Sequence, residues 1–293
     1  MNNVLIISGA TCTGKTALAI DLAEKHNAEI ISCDSVQIYK DADIGSAKAT
    51  LQEQARIKHH LIDVVKVNQP FDVASYVELA KQAFNDIRNR GKNVVVVGGS
   101  GFYLKSWFMA VADNISIPKE ISEFTSKIER EGGAEALAKE LLKVDAQASE
   151  IVDMNNPRRT KNALERCLAT SKSVRELRTE FEKLPCPMGE FPRKFILIDR
   201  PDDEILKRIE LRTQIMLKTG LIEETKNLIN KGILENPSLR NSTGYKQTID
   251  YLLSNSTNID KLKSDIVVQT MSLVRKQRKY FATQLRDIPR SRI

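Results

Sequence analysis

The stretch Gly9-Ala10-Thr11-Cys12-Thr13-Gly14-Lys15-Thr16 follows a short apolar run at residues 4–8 and precedes an apolar pattern of helical period. It matches the spacing G-x-x-x-x-G-K-[ST] in full, in the strand, loop and helix setting that this phosphate-binding motif requires. Glycines and successive backbone N–H groups at a helix N-terminus can bind phosphate oxygens without obstruction by side chains. We therefore expect residues 9–16 to bind a diphosphate or a nucleotide, with Lys15 on the terminal phosphate and the Thr16 hydroxyl on Mg²⁺.

Strand and helix signals alternate around this loop. Further strands are predicted at residues 29–33, 92–97 and 194–198, and a helix that Gly91 ends is predicted at residues 73–90. Strands that alternate with helices indicate an α/β fold. The sequence therefore predicts a P-loop NTPase-like, doubly wound parallel sheet covered on both faces.

The pattern changes between about residues 113 and 192, where no convincing strand is found and Glu and Lys are frequent. We expect residues 113–192 to form an all-helical insertion. Residues 1–112 and 193–293 then form the catalytic core, which ends in helices predicted at residues 202–218, 222–231 and 260–285.

Composition limits the class of protein. The 293 residues carry a net charge of +7 with 41% hydrophobic residues, which is typical of a folded globular chain and suits a polyanionic partner. No apolar run approaches the roughly 20 residues of a membrane helix, and residues 1–8 do not resemble a signal peptide. The four cysteines lack the spacing of a zinc site or a disulfide framework. We expect a cytoplasmic monomer with reduced thiols.

Two loops beyond predicted strands carry candidate catalytic groups. Asp34 lies just past the second strand, where a doubly wound sheet would place it in the crevice beside the phosphate loop as a general base or a partner of the metal's water shell. The strand at 92–97 runs into Gly98-Gly99-Ser100, without the acidic residue of a motor-type ATPase. Ser100 is a candidate for contact with a bridging or leaving-group oxygen.

Basic stripes predict contact with a polyanion. Arg159, Asn162 and Arg166 line one side of the helix opened by Asn156-Pro157, and cations crowd the outer side of the last helix. In the crevice, the Gln37 amide is a candidate for pairing with the edge of an adenine.

A set of further motifs occurs in the order of one known family. They are Asp34-Ser35-x-Gln37-x-Tyr39, Ile44-Gly45-Ser46-Ala47-Lys48, His59-His60-Leu61-Ile62-Asp63, Gly98-Gly99-Ser100-Gly101-Phe102-Tyr103, Asn156-Pro157-Arg158-Arg159, Ala163-Leu164-Glu165, Arg208-Ile209-x-x-Arg212, Met216, Gly220-Leu221 and Gly244-Tyr245-Lys246-Gln247. Together with the phosphate loop they resemble the tRNA dimethylallyltransferases over nearly the whole chain.

This resemblance implies transfer of a dimethylallyl group from dimethylallyl diphosphate to N6 of the adenine 3′-adjacent to the anticodon of tRNA, in a Mg²⁺-dependent reaction. It implies that Asp34 is the general base and that Lys15, Arg208 and Arg212 neutralise the diphosphate, with Ser100 also in the site. The expected contacts to the tRNA anticodon stem-loop are Asp34, Ser35, Val36, Gln37, Arg158, Arg159, Lys161, Asn162, Arg275, Lys276, Arg278 and Lys279.

The chain departs from the family pattern at several positions. Ser100 stands where the family has Thr, Ala10 where Pro is usual, and Ser46 where Thr is usual. Near the C-terminus the family shows Lys-Arg-Gln followed by Thr-Trp, whereas this chain has residues 275–281 in the order Arg-Lys-Gln-Arg-Lys-Tyr-Phe. The last change concerns RNA contact more than chemistry.

Three other functions share parts of the pattern. An enzyme that prenylates free adenine nucleotides would have the phosphate loop, the Asp and a Gly-Gly-Ser loop, but the helical insertion and the basic last helix favour tRNA. In a small-molecule kinase that uses ATP, Asp34 would activate a hydroxyl. A nucleotide-controlled RNA-binding switch would have no catalysis, and Asp34 and Ser100 at the crevice argue against it.

Overall fold

A computed structural model of the protein describes residues 4–254 and 256–292. These residues form two compact units. The core unit comprises the described residues up to Phe108 and from Pro187 onward, and the helical unit comprises Met109–Cys186. No described helix is both long enough and apolar enough to cross a membrane.

The core unit contains a six-stranded sheet in which every pairing is parallel. Its strands in chain order are β1 (Val4–Gly9), β2 (Ala28–Ser32), β3 (His59–His60), β4 (Asn93–Gly98), β5 (Arg193–Ile198) and β6 (Ser291–Arg292). Across the sheet the order is β3-β2-β4-β1-β5-β6. The α/β fold expected from the sequence is therefore confirmed, with four strands where they were predicted and the two-residue strands β3 and β6 added at the edges.

Twelve α-helices are described. They are α1 (Lys15–Lys25), α2 (Leu51–Arg56), α3 (Val73–Asn89), α4 (Gly101–Lys105), α5 (Lys119–Val144), α6 (Pro157–Thr170), α7 (Val174–Glu182), α8 (Asp202–Thr219), α9 (Leu221–Asn230), α10 (Pro237–Arg240), α11 (Tyr245–Leu253) and α12 (Ile259–Gln284). Local sequence sets several of their ends. The Asp72 carboxylate caps α3, and Gly220, at φ +110°, ends α8 and leads into α9.

Both faces of the central strands are covered. β2 is buried along its whole length and β4 is buried from its second residue onward, as expected for parallel strands rich in Val and Ile. Helix α1 packs through Ala19, Ile20 and Ala23 on apolar residues of β1, β2, β4 and β5, and α3 also contacts β2 and β4. Because the core lies against the middle of the sheet, the loops at the strand ends are held on a rigid base.

The strand register aligns the loops that carry the predicted site. Ser8 of β1 pairs with Gly98 of β4, and Ser32 of β2 pairs with Val97 of β4. Since the strands are parallel, their carboxyl ends lie at one edge of the sheet. The phosphate loop, the Asp34 loop and the loop at Ser100 therefore begin side by side.

The helical unit contains α5, α6 and α7, and each of its described regular elements is a helix. Residues of these helices form its apolar core, among them Leu137, Leu164 and Val174. Helix α5 is interrupted at Gly133, where φ is +62°. Residues 109–186 carry 13 Lys and Arg against 14 Asp and Glu, so this unit has no excess of positive charge.

Candidate active site

The backbone conformation of the phosphate loop requires glycine at specific positions. A Cβ on Gly9 would lie 2.2 Å from the Ile198 carbonyl oxygen, so no larger residue fits against β5. Cys12 adopts φ +65° and Gly14 φ +93°, which curls the loop around the N-terminus of α1. The Thr13 hydroxyl donates to the Ala10 carbonyl oxygen at 2.9 Å and so fixes the turn from inside. Residues 9–16 thus form a turn around the N-terminus of α1, a backbone geometry that suits an anion.

Lys15 is folded over this loop. Its Nζ donates a hydrogen bond to the Ala10 carbonyl oxygen at 2.6 Å. Burial lowers the pKa of Lys15 to about 8, an effect that the Asp34 carboxylate opposes and the Arg212 guanidinium strengthens. An ammonium group that has lost water in this way is available to an incoming anion.

Asp34 begins the loop after β2 and organises it. Its Oδ1 accepts hydrogen bonds from the backbone N–H of Val36 at 2.9 Å and of Gln37 at 3.4 Å, which holds the carboxylate in one orientation. The side chain is half-buried. It lines a cavity together with Lys15 and Arg212, so a negative group and two positive groups face the same space.

Ser100 joins the loop after β4 to the Asp34 loop. The Ser35 backbone N–H donates to Ser100 Oγ at 2.9 Å, and Ser100 Oγ donates to Ser35 Oγ at 3.2 Å. A Cβ on Gly98 would lie 1.9 Å from the Cys33 carbonyl oxygen, so the glycine allows the two loops to touch. The hydroxyl of Ser100 is directed to Ser35 in this structure.

The two arginines of α8 have different surroundings. Arg212 Nη1 donates to Thr11 Oγ1 of the phosphate loop at 2.9 Å, and its buried Nε has no partner among the described residues. Arg208 Nε donates to Glu204 at 2.9 Å instead, although Arg208 lines the cavity next to the phosphate loop. A buried donor without an acceptor is costly, so of the two arginines Arg212 is the one with an unused buried donor beside the phosphate loop.

Two residues at the phosphate loop were not anticipated from the sequence. Arg200 Nε donates to the Thr13 carbonyl oxygen at 2.8 Å. Gln277 of α12 accepts from the Thr11 backbone N–H at 2.9 Å and donates through Nε2 to the Gly99 carbonyl oxygen at 2.9 Å. Their distance along the chain hides this role, and the only available signal was that Gln277 lies in the family's C-terminal Lys-Arg-Gln pattern.

Two cavities of about 550 and 460 Å³ meet at the site. They share Thr11, Lys15, Asp34, Ser46, Ala47 and Arg212. The larger one, which we call the polar cavity, extends to hydroxyl and amide side chains of residues 238–247 and to α12. The smaller one, the loop cavity, contains Gly14, Thr16 and Arg208. The same six residues therefore line both cavities.

Among the residues near the crevice that were expected to contact RNA, some line a cavity and one makes hydrogen bonds within the protein. Ser35 and Val36 line the polar cavity. The Gln37 amide accepts from Ser32 Oγ at 3.2 Å and donates to the Ala47 carbonyl oxygen at 3.2 Å. Each end of this amide keeps one further hydrogen-bonding position, so its orientation is fixed without exhausting its capacity.

Helix α12 was expected to present a face of unpaired cations, and Arg278 departs from this expectation. This side chain pairs with Asp199 at 2.9 Å and with Asp202, and donates to the Arg200 carbonyl oxygen. It ties α12 to the start of α8. Arg275, Lys276 and Lys279 are exposed, and Lys276 lines the polar cavity.

The residues of the helical unit that were expected to contact tRNA lie at the start of α6. Arg158, Arg159 and Asn162 are exposed. Lys161 is instead held by Glu129 at 2.7 Å and by Ser126 at 2.9 Å. The exposed cations lie next to the positive end of the α6 dipole, which favours an anion there.

No cluster of three or more His, Cys, Asp and Glu side chains suited to a metal occurs among residues 4–254 and 256–292. Mg²⁺ is commonly held by one or two protein groups together with substrate phosphates and water. The Thr16 hydroxyl in the loop cavity fits that mode of binding, and the Asp34 carboxylate, which lines the same cavity, suits contact with the ion's water shell.

Comparison with protein families matches residues 37–284 to the family described as IPP transferase. The chain belongs to the IPP transferase family. Among curated members, it is 39% identical over 282 residues to the tRNA dimethylallyltransferase of Opitutus terrae, covering 96% of this chain and 90% of that protein. It is 39% identical over 259 residues to the tRNA dimethylallyltransferase of Desulfitobacterium hafniense, covering 88% and 82%.

Solved structures of IPP transferases agree with this membership. The chain resembles a eukaryotic dimethylallyltransferase acting on tRNA with a TM-score of 0.84 and 26% identity, over 97% of this chain and 71% of that one. It resembles the tRNA delta(2)-isopentenylpyrophosphate transferase of Staphylococcus epidermidis with a TM-score of 0.68 and 26% identity, over 100% and 93%. The fold and the order of motifs therefore point to the same family.

Proposed function

We propose that the protein transfers a dimethylallyl group from dimethylallyl diphosphate to N6 of the adenine 3′-adjacent to the anticodon in tRNA. The observation that carries this proposal is the meeting of the polar cavity and the loop cavity at Lys15, Asp34 and Arg212. A transfer reaction needs an anion site for the donor and a base for the acceptor in one space. Membership of the IPP transferase family supplies the reaction class.

The donor diphosphate binds in the loop cavity. Backbone N–H groups at the N-terminus of α1 and the ammonium group of Lys15 bind its oxygens, and the free Nε of Arg212 gains an acceptor. These groups stabilise the charge that builds up on the diphosphate as its bond to the dimethylallyl C1 breaks. Mg²⁺ on the Thr16 hydroxyl would add to this neutralisation of charge when bound.

The acceptor adenine enters from the polar cavity. The N6 amine forms the new bond to C1, and the proton that it loses passes to the Asp34 carboxylate, whose orientation Val36 N–H and Gln37 N–H fix. Reaching this carboxylate requires the base to leave its stack. The hydroxyl and amide groups of residues 238–247 surround the entering nucleotide.

Phosphates of the anticodon stem-loop bind to exposed cations. Those of α12 are Arg275, Lys276 and Lys279, and those of α6 are Arg158 and Arg159. Arg278 contributes through the position of α12, because its guanidinium is occupied by Asp199 and Asp202. The protein acts as a cytoplasmic monomer in this proposal, and Cys12, Cys33 and Cys167 are free thiols, as suits a reducing compartment.

The test is incubation of the protein with labelled dimethylallyl diphosphate, Mg²⁺ and either unmodified tRNA or AMP. We expect label in tRNA at N6 of the adenine beside the anticodon. Label in AMP alone would instead favour the adenylate dimethylallyltransferase reaction, and label in neither acceptor would refute prenyl transfer.

Asp34→Asn tests the role of the base. The Asn oxygen still accepts from Val36 N–H, so the loop keeps its turn, but proton removal is lost. We expect kcat to fall by about 100-fold or more, while binding of inorganic diphosphate is not weakened. Asp21→Asn, on the exposed side of α1, is the matched control, and an active Asp34→Asn enzyme would exclude Asp34 as the base.

A further inference from the structure

We infer that Glu224 of α9 is a positioning residue for the acceptor side of the site. It acts through the loop of residues 43–47, which we call the acceptor loop. The inference rests on the proposed function, since it concerns the efficiency of the same transfer.

The carboxylate of Glu224 binds three successive backbone N–H groups of the acceptor loop. Its Oε2 accepts from Asp43 N at 3.0 Å and from Ile44 N at 2.7 Å, and its Oε1 accepts from Gly45 N at 3.0 Å. Successive N–H groups that converge in this way form an anion-binding concavity. Here the anion is a side chain about 180 residues away along the chain, so the contact holds the loop to α9.

Tyr245 completes this contact from α11. Its hydroxyl donates to Glu224 Oε1 at 2.7 Å. Its buried ring lies so close to Gly45 that a Cβ there would be 2.5 Å from the ring. Burial, and then the Glu224 carboxylate, raise the pKa of Tyr245 well above its ordinary value, so the phenol remains a donor. The acceptor loop is therefore held by a carboxylate and packed against an aromatic ring.

The acceptor loop reaches the site through Ala47. Ser46 and Ala47 line both cavities, and Ala47 adopts φ +51°, a strained conformation for a residue with a side chain. The Ala47 carbonyl oxygen accepts from Gln37 Nε2 at 3.2 Å, and the Gln37 N–H donates to Asp34 at 3.4 Å. A continuous set of contacts thus leads from Glu224 to the groups around the proposed base.

Lys48 holds the acceptor loop independently of Glu224, so a substitution at Glu224 can be studied in the folded protein. The side chain of Lys48, which is almost fully buried, pairs with Asp43 and Asp63 at 2.5 Å each and donates to the Tyr39 carbonyl oxygen at 3.0 Å. These bonds remain when Glu224 is changed. We therefore expect the acceptor loop to loosen in Glu224 variants without unfolding of the core unit.

Glu224→Gln is the informative substitution. An amide has one oxygen, so either Asp43 N–H and Ile44 N–H, or Gly45 N–H and the Tyr245 hydroxyl, lose their acceptor. We expect kcat for prenylation of tRNA to fall by about tenfold, with unchanged affinity for inorganic diphosphate, because the phosphate loop is not touched. Backbone amides 43–45 should exchange with deuterium faster than in the wild type.

Two other variants control the result. Glu223→Gln changes the neighbouring residue, which is exposed and pairs with Lys226, and it should match the wild type in every measurement. Tyr245→Phe removes one of the four hydrogen bonds and keeps the ring, so its loss of kcat should be smaller than that of Glu224→Gln. A residue of merely structural importance would lower the melting temperature and leave kcat of the folded enzyme unchanged.

The outcomes separate the two claims. If the wild type transfers the prenyl group and Glu224→Gln has the kcat of Glu223→Gln, the positioning role is wrong and the proposed function stands. If Glu224→Gln does not fold, a kcat of Tyr245→Phe equal to that of the wild type overturns the inference. If the wild type transfers nothing, the proposed function fails and this inference fails with it.

Discussion

Replacement of Gln277 by Leu should damage the phosphate loop from a helix at the other end of the chain. The amide of Gln277 accepts from Thr11 N–H and donates to the Gly99 carbonyl oxygen. It therefore holds together α12, the phosphate loop and the loop that contains Ser100. Leu is an apolar residue of comparable bulk with neither hydrogen-bonding group, so the substitution removes both bonds and gives their partners no replacement.

The expected cost follows from these two partners. A partly buried backbone group that loses its hydrogen bond costs about 1–3 kcal/mol. Two such groups reduce the free energy of unfolding by about 2–4 kcal/mol, below the sum of two full penalties because both bonds are only partly buried. In the variant the phosphate loop is less ordered, so part of the free energy of diphosphate binding is used to order it. Each 1.4 kcal/mol used in this way lowers the affinity for diphosphate about tenfold. We expect a rise of about 10-fold or more in the KM for dimethylallyl diphosphate.

The assay combines urea unfolding with initial rates at saturating tRNA. Gln284→Leu is the matched control, since it places the same substitution at an exposed position of the same helix, and it should change neither measurement. If Gln277→Leu is destabilised but keeps its KM for the donor, the amide cross-links the loops without shaping the anion site. If its free energy of unfolding is unchanged, the reasoning about the two hydrogen bonds is wrong.

Two further predictions concern charged groups of the core unit. Because the pKa of Lys15 is about 8, calorimetry should show diphosphate affinity falling as the pH rises through 8, whereas Lys15→Arg, which stays charged, should show a flatter dependence; equal pH profiles would contradict this. Burial would raise the pKa of Glu29, but hydrogen bonds from Arg90, His60 and Lys92 hold it well below its ordinary value. The ionised carboxylate therefore stabilises the fold at neutral pH, and this stabilisation is lost as the pH falls below about 4.5. Glu29→Gln should lower the free energy of unfolding by about 1–3 kcal/mol at pH 7 and weaken its acid dependence; urea unfolding with the same acid dependence as the wild type would contradict this.

The sheet could be predicted because its signals are local. Each of β1, β2, β4 and β5 is a run of apolar residues that ends in Gly, Ser or a loop, and parallel pairing buries such runs on both faces. The phosphate loop is also local, since its eight residues contain their own glycines and hydroxyls. The edge strands β3 and β6 have two residues each and depend on a neighbouring strand, so nothing in their own sequence marks them.

The contacts that shape the site depend on the fold and could not be predicted in this way. Gln277 meets Thr11 across 266 positions and Glu224 meets Ile44 across 180, and neither residue type indicates a particular partner. Helical period placed Arg278 on a basic face, but the period of a helix does not reveal that Asp199 and Asp202 lie within reach. Arg208 and Arg212 share a face, as their spacing predicts, yet Glu204, one turn before Arg208, pairs with Arg208 and not with Arg212.

The net charge of +7 has a narrower meaning once it is divided between the units. The helical unit carries 13 basic and 14 acidic residues, so the excess belongs to the core unit, which holds 32 and 24. Within the core unit, Glu204 contacts both Arg200 and Arg208, and Arg278 is paired as well. A polyanion is therefore attracted by a few exposed or unpartnered cations and not by the chain as a whole. On the helical unit the attraction depends on position, because Arg158 and Arg159 lie at the positive end of α6 while Glu129 neutralises Lys161 in the same helix.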